Sequence, residues 1–484
     1  MYNTRRKFYE WLLLLFVIMT SIVSIISIAQ DELRTYSFDL LWVLPLTYVT
    51  QFIISWLYFP HMKYKISVLL ILALYYARMI IVPFAMFLGN YSTYGIESVY
   101  GQDMGLAISL MSWEFMVITI LFVLTTGKSG EENDEDISNG SVNNVFNIPQ
   151  YFKWAVICII LYIVLIMIGT PGLFQESFFL TTGRSEESYE LLFSGEVSHN
   201  AFGLSFGSQL VTIAFTFFWI LQAIYPPFLL AQIANKVKSQ FNRNILFLIV
   251  LGGTVLISTE GRAHSIECAI ALLISSSIAL KNKFYINIKA LILVITGIMI
   301  YGLMDKSGVS GEGSQLYVEF SKMISAYFGG PHNVATAITM KNNEHNLTAL
   351  NIVSDILQRL PYLTIIFTKT FGGTTNIIFN NYFGGYYLGQ IIPSIGLGYA
   401  YFGFLFAPII PSAAVMLSLH FEKKASQNAN VVLKNFYYLG VIMFARATCT
   451  SNMLSGITYL GNMFFAWLVI YIGFIKKTKD MGET

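Results

Sequence analysis

The chain is 484 residues long, 55% hydrophobic and only 12% charged, where an ordinary soluble protein carries about 25% charged residues. So few charges cannot cover a water-facing surface of this size, which excludes a soluble globular enzyme and a disordered chain. With 29 basic and 27 acidic residues the net charge is +2, so no basic field exists to hold a nucleic acid.

A bilayer core needs about 20 consecutive apolar residues per helix. By that ruler the sequence predicts an all-α, polytopic membrane protein, a single domain over 1–484 with about twelve spans. They fall near 11–29, 38–58, 66–88, 104–124, 154–169, 208–230, 245–259, 264–280, 286–304, 400–420, 435–449 and 453–475. The first run follows Arg5, Arg6 and Lys7, as in a signal peptide. Its apolar stretch exceeds the ~7–15 residues of a signal core, and further spans follow, so it reads as a retained first helix.

Lys and Arg in short loops set the orientation. With the N-terminus inside, cytoplasmic turns hold Lys63 and Lys65; Lys128 and Lys153; Lys236, Lys238 and Arg243; Lys281 and Lys283; Lys423 and Lys424; and Lys476, Lys477 and Lys479 at the tail. The acidic run from Glu131 to Asp136 also falls inside, where acidic residues count little. Both termini are then cytoplasmic. Two long extracytoplasmic loops remain, 170–207 and, between spans 9 and 10, 305–399. Loops of such length are usually functional. The stretch 355–367 begins amphipathic and turns apolar, which predicts helices lying on or dipping into the outer surface. Tyr382, Phe383, Tyr386 and Tyr387 fit a sugar-binding surface and an interfacial aromatic belt equally well.

An ionisable side chain near the bilayer centre costs about 2.5–3.5 kcal/mol or more, so each one calls for a partner or a task. Arg78 and Glu114 lie near the middles of the third and fourth spans, at similar depth. They read either as an ion pair locking two helices or as a substrate-binding arginine oriented by its carboxylate. Arg262 sits in the tight turn between spans seven and eight, flanked by Gly261 and Ala263. A planar guanidinium with five donors suits diphosphate oxygens; snorkelling to headgroups, or pairing with Glu260 or Glu267, is the plainer alternative. Arg446 lies in the outer part of the eleventh span, and Arg184 and Arg359 in the two outer loops. Several arginines within reach of one leaflet point to a lipid-linked phosphate or diphosphate.

The outer loops also hold His199, His332 and His345. The Gly329-Gly330-Pro331 turn before His332 could fix its imidazole rigidly, as a general base or simply as a structural residue. The three cysteines, Cys158, Cys268 and Cys449, lack metal spacing, and there is no P-loop and no zinc-protease His/Glu pair. No metal or other cofactor is expected.

Four late segments carry a resemblance. Asp355-Ile-Leu-Gln-Arg-Leu-Pro361 is followed by Asn381-Tyr-Phe-Gly-Gly-Tyr-Tyr-Leu-Gly-Gln390, then by Pro393-Ser-Ile-Gly-Leu-Gly398 and Tyr401-Phe-Gly-Phe404. This pattern resembles the bacterial Wzy-type oligosaccharide repeat-unit polymerases, with a "d-x-l-x-x-i-P" element ahead of a glycine- and aromatic-rich start to a late helix. The Arg262 turn resembles the Ser-Arg-Gly-like turn of the wider family, which includes the O-antigen ligases, although here it reads Glu260-Gly261-Arg262. Gln390 stands where that family often has Glu, and both His332-Asn333 and His345-Asn346 resemble the ligases' His-Asn element. The resemblance implies a membrane glycosyltransferase in a bacterial plasma membrane, making O-antigen, capsule or another surface polysaccharide. Its substrate would be an undecaprenyl-diphosphate-linked oligosaccharide, and its partners membrane lipid, a chain-length regulator and a flippase. Arg262 and His332 would be catalytic, and Arg78, Arg446, Arg184 and Arg359 substrate-binding, with Glu114 and Glu260 orienting. An O-antigen ligase-like transferase and a lipid-linked oligosaccharide flippase or transporter remain as alternatives.

Overall fold

A computed structural model of the chain describes residues 2–31, 36–58, 65–126, 157–158, 160–164, 207–256, 262–280, 297, 314–344, 346–360, 374–383, 390–428 and 430–470. Helices carry the architecture, and no strand occurs among the described residues. In chain order they are α1 (Tyr2–Ala29), α2 (Val43–Tyr58), α3 (Ile66–Tyr76), α4 (Val82–Leu88), α5 (Glu97–Tyr100), α6 (Met104–Thr126), α7 (Gly207–Lys236), α8 (Gln240–Leu256), α9 (Arg262–Ala279), α10 (Ser314–Tyr327), α11 (Pro331–Asn343), α12 (Asn351–Arg359), α13 (Thr375–Asn381), α14 (Ser394–Phe406), α15 (Ile409–Ser426), α16 (Val431–Cys449) and α17 (Met453–Ile470).

The chain divides into two compact units. Unit 1 takes Met1–Glu132, Ser307–Leu419 and Phe444–Ile457; unit 2 takes Asn133–Lys306, His420–Met443 and Thr458–Thr484.

Helix α1 illustrates why this is a membrane protein. Leu14, Val17, Ser21, Ser24 and Ile28 are buried at helical spacing, yet the opposite face exposes Leu12, Leu15, Phe16, Met19, Val23 and Ile26. A water-facing helix would put charge there. Among the described residues, three helical stretches are long and apolar enough to cross a membrane: Glu10–Ala29, Ile66–Leu88 and Glu97–Thr125. Shorter apolar helices cover Val43–Leu57, Gln240–Leu256 and His264–Ala279. The segments predicted at 154–169 and 286–304 lie largely outside the described residues.

Two stretches predicted as simple spans are interrupted. Between α3 and α4 the backbone widens into a π-turn over Ala77–Ile81, closed by the Val82 N–H donating to the Ala77 carbonyl. Pro83 follows directly and has no N–H to return to Met79. A π-turn accommodates that missing bond without a sharp kink. The predicted span at 400–420 is bent outright: α14 and α15 meet at 109°. Gly403 sits inside the bend at φ 74° and ψ −175°, a conformation essentially reserved for glycine. The Trp113 indole N–H donates to the Leu405 carbonyl at 3.2 Å, answering one backbone group the bend releases.

The unit 1 core gathers apolar faces of α1 to α4, α6, α11 and α14, with Phe115, Phe122, Tyr48 and Tyr75 among its largest buried side chains. Tyr48 packs against Phe115 with ring centroids 5.2 Å apart and donates its hydroxyl to the Leu72 carbonyl at 2.9 Å. Tyr76 reaches Thr20 on α1 at 2.9 Å. These rings bring large apolar area while their hydroxyls find partners inside the bundle.

Unit 2 is held differently. Gln222 of α7 donates to the Thr254 carbonyl of α8 at 2.8 Å and to the Ser265 hydroxyl of α9 at 3.1 Å. Asn435 donates to the Ala223 carbonyl at 2.8 Å and accepts from the Ser275 hydroxyl at 3.0 Å. Two side-chain amides, reaching adjacent positions of α7, thus bind it to α8, α9 and α16. The buried face of α9 is polar at one end, where His264, Ser265, Glu267 and Cys268 all lie out of solvent.

Candidate active site

The candidate site residues fall in both units. Arg78, Glu114, His332, Arg359 and Arg446 belong to unit 1, and Arg262 to unit 2. Arg184, Glu260, His199 and His345 lie outside the described residues. Arg262 is the first residue of α9, so its backbone stands at a helix N-terminus.

Arg78 lies in the π-turn and is completely buried, as is Glu114. Arg78 Nη1 and Glu114 Oε2 are 2.8 Å apart. Arg78 also donates from Nε to the Gly329 carbonyl at 3.0 Å, and its guanidinium carbon lies 6.0 Å from the Tyr75 ring centroid. The pair therefore ties α6, the π-turn and the α10–α11 junction together.

That junction is built on glycine. Gly329 adopts φ 54°, and a Cβ there would lie 2.9 Å from the Cys449 carbonyl and 3.1 Å from Pro393 Cγ. A Cβ on Gly330 would collide with the Ser325 hydroxyl. Pro331 then opens α11 at the position where a missing N–H costs nothing.

His332 is the second residue of α11, an interior position. Its side chain is wholly buried; Nδ1 and the Ser325 hydroxyl share a 2.9 Å hydrogen bond, and its ring meets Tyr100 edge-on at 6.0 Å. Burial pushes its pKa down to about 3, so the imidazole is neutral at neutral pH. A base must lie within hydrogen-bond reach of the proton it removes; here Nδ1 is engaged by Ser325, and Nε2 is buried with no hydrogen-bond partner among the described residues. The geometry suits holding the turn. Arg446, near the end of α16, is half-buried, and its carbonyl accepts the N–H groups of Thr450 and Ser451 at 3.0 and 3.2 Å.

A second cluster joins α12, α13 and α14. The Asp355 carboxylate accepts the Thr375 backbone N–H at 3.1 Å through Oδ1 and the Tyr401 hydroxyl through Oδ2. Arg359 sits one helical turn from Asp355, and burial lowers its proton affinity while Asp355 opposes that shift. Asn376 and Asn380 then clasp the strip leading into α14. Asn380 exchanges two bonds with the Gln390 backbone, at 2.8 and 2.9 Å, and Asn376 accepts the Ile392 N–H at 3.0 Å. Asn452 donates to the Ile392 carbonyl at 3.1 Å, and Ser394 to the Ala447 carbonyl at 2.6 Å.

In the sequence Asp355 and Gln390 are pattern residues without an evident partner, and Ser325, Gln358 and Tyr401 carry no local sign of their contacts. The i, i+4 spacing of Asn376 and Asn380 was the available signal, since it sets two amides on one helix face. Among the described residues, no group of three or more His, Cys, Asp or Glu side chains could hold a metal ion. Comparisons with protein-family models, curated proteins and solved structures give no match.

Proposed function

We propose that the protein is a polymerase of polyprenyl-diphosphate-linked oligosaccharide repeat units, resembling the Wzy-type enzymes. One observation carries the reading. The late sequence elements behind the resemblance are scattered over 355–404, yet side-chain hydrogen bonds draw them to one place in unit 1. Asp355 bonds Tyr401 and Thr375, Asn380 clasps Gln390, and Asn376 clasps Ile392 just ahead of Pro393. A pattern that specifies a folded locus supports a shared site better than scattered identities do.

In this reading the chain has twelve spans with both termini in the cytoplasm of a bacterial cell, and 305–399 faces outward. A hydroxyl of the newly flipped unit attacks the anomeric carbon of the donor glycan. The new glycosidic C–O bond forms as the bond to diphosphate breaks, the electron pair leaves with the lipid diphosphate, and the hydroxyl proton passes to a base. Negative charge builds on the leaving group, and Arg262 at the α9 N-terminus is assigned to stabilise it. Arg184 is assigned to the donor's phosphates; within unit 1, Arg78 with Glu114 holds the frame and His332 positions the α10–α11 turn.

The test is reconstitution of the purified protein with lipid-linked repeat units, chain length being read on a gel. Arg262→Ala should lower extension about 10²–10³-fold, and Arg262→Lys should fail less completely because it keeps charge without the planar fork. Wild-type extension by Arg262→Ala would remove the leaving-group role. In cells, deletion of the gene should leave a single repeat unit on the final acceptor. Loss of every external unit would instead favour the flippase reading.

A further inference from the structure

Helix α12 buries polar side chains beside apolar ones. Asp355 and Gln358 are 1% and 2% exposed, and Ile352 and Ile356 pack against the core, whereas Val353 on the helix and Leu350 just before it are 54% and 80% exposed. An exposed apolar side chain on a short helix suits the boundary between lipid and water. The inward side therefore carries a polar patch of Asp355 and Gln358 set against apolar packing.

Asp355 is satisfied there by Thr375 and Tyr401. Its neighbours on the same face are not. Among the described residues, Gln358 buries its amide oxygen and its amide nitrogen without a hydrogen-bond partner, and Arg359 buries Nε likewise. Buried polar groups are almost always paired, and a native protein that leaves three together on adjacent residues needs a reason.

We propose that Gln358 and Arg359 form the hydrogen-bonding half of a sugar subsite on the inner face of α12, which receives an uncharged, polyhydroxylated ring of the oligosaccharide. The proposal rests on the polymerase reading and narrows it. The three atoms are two donors and one acceptor, which complements adjacent hydroxyls that each give and take a hydrogen bond. Charge decides against the alternative ligand. Asp355 lies one turn from Arg359 and offsets its positive charge, so a diphosphate would meet a carboxylate as it met the guanidinium. Arg359 thereby moves from a phosphate-binding role to a hydroxyl-binding one. A site built to hydrogen-bond hydroxyls also discriminates strongly against a sugar lacking one, because its buried groups are left unpaired.

The experiment uses the full-length protein in lipid nanodiscs and, as probe, the oligosaccharide repeat unit freed from its lipid diphosphate by mild acid. Binding is followed by saturation-transfer NMR, with inorganic pyrophosphate as competitor. Wild type should bind the free oligosaccharide without competition from pyrophosphate. Gln358→Leu should weaken binding about tenfold or more while its thermal midpoint stays level or rises, since an unpaired amide has been removed. Equal binding by wild type and Gln358→Leu would overturn the proposal, as would displacement by pyrophosphate. A lower midpoint with undiminished binding by the folded fraction would make Gln358 structural. Should Gln358→Leu not accumulate, Arg359→Gln must weaken binding in the same assay, and undiminished binding there overturns the proposal too. Oligosaccharide binding that depends on Gln358, in a protein that extends no chains, would retain this subsite and remove the polymerase reading.

Discussion

Unit 1 and unit 2 solve the same problem with different chemistry. Unit 1 joins α6, the π-turn and the α10–α11 junction through a fully buried ion pair, Arg78 with Glu114. Unit 2 joins α7, α8, α9 and α16 through two neutral amides, Gln222 and Asn435. An ion pair out of water is expensive to assemble and more expensive to break, because one charge is then stranded. An amide tie in the membrane is worth about 0.6 kcal/mol on average, and its loss strands only a dipole. The difference teaches that unit 1 is committed to one packing, whereas unit 2 can lose a tie and keep its helices together.

The largest effect that would break this contrast is at Glu114. Glu114→Gln leaves Arg78 buried and uncompensated, which costs about 3–5 kcal/mol. The amount of monodisperse protein after extraction should collapse, and exchanging the two residues should restore part of it. Normal yield would mean that the pair is not structural. Next comes Tyr401→Phe, which removes a hydroxyl donated to the Asp355 carboxylate. A bond to a charged group is worth about 1.5–3 kcal/mol, so the thermal midpoint should fall clearly; an unchanged midpoint would detach α14 from α12 in energy.

His332 sharpens the comparison through pH. Its folded pKa is about 3, below the ordinary 6.5. Between those values the unfolded chain binds a proton that the folded chain refuses, so stability is full above about pH 6.5 and declines as pH falls toward 3, by up to about 1.4 kcal/mol per unit. Melting curves of wild type and His332→Asn should diverge above pH 4 and converge as pH drops; parallel curves would show that the ring is hydrated. The smallest effect belongs to unit 2. Asn435→Leu should cost about 0.6 kcal/mol, and a loss as large as that at Glu114 would erase the distinction between the units.

Much of this was readable in the sequence, unevenly. Arg78 and Glu114 announced themselves because charge in an apolar run has few explanations and matched depth names a partner. The bend between α14 and α15 did not, because 400–420 is apolar throughout and periodicity carries no sign of φ at Gly403. Pro408 and Pro411 were cues, but proline also occurs within membrane helices. The Asp355–Tyr401 bond spans 46 positions, and no local pattern encodes a pairing at that range. His332 was read from its flanking turn as a loop residue, whereas Gly-Gly-Pro here starts a helix and turns the imidazole inward.

The π-turn carries one more consequence, a matter of phase. A π-turn accommodates one residue more than the α-helix around it, and each residue advances a helix by about 100°. Everything after Ile81 is therefore rotated by that angle against the face set in α3. Val82, Pro83, Ala85 and Met86 are buried beyond the turn, and Ser325 meets Met86 there at 3.8 Å. Deleting a single residue from 77–81 would therefore restore plain α winding and leave the buried face of α4 in place, whereas the same deletion within 82–88 meets no slack and would turn that face like a misaligned gear.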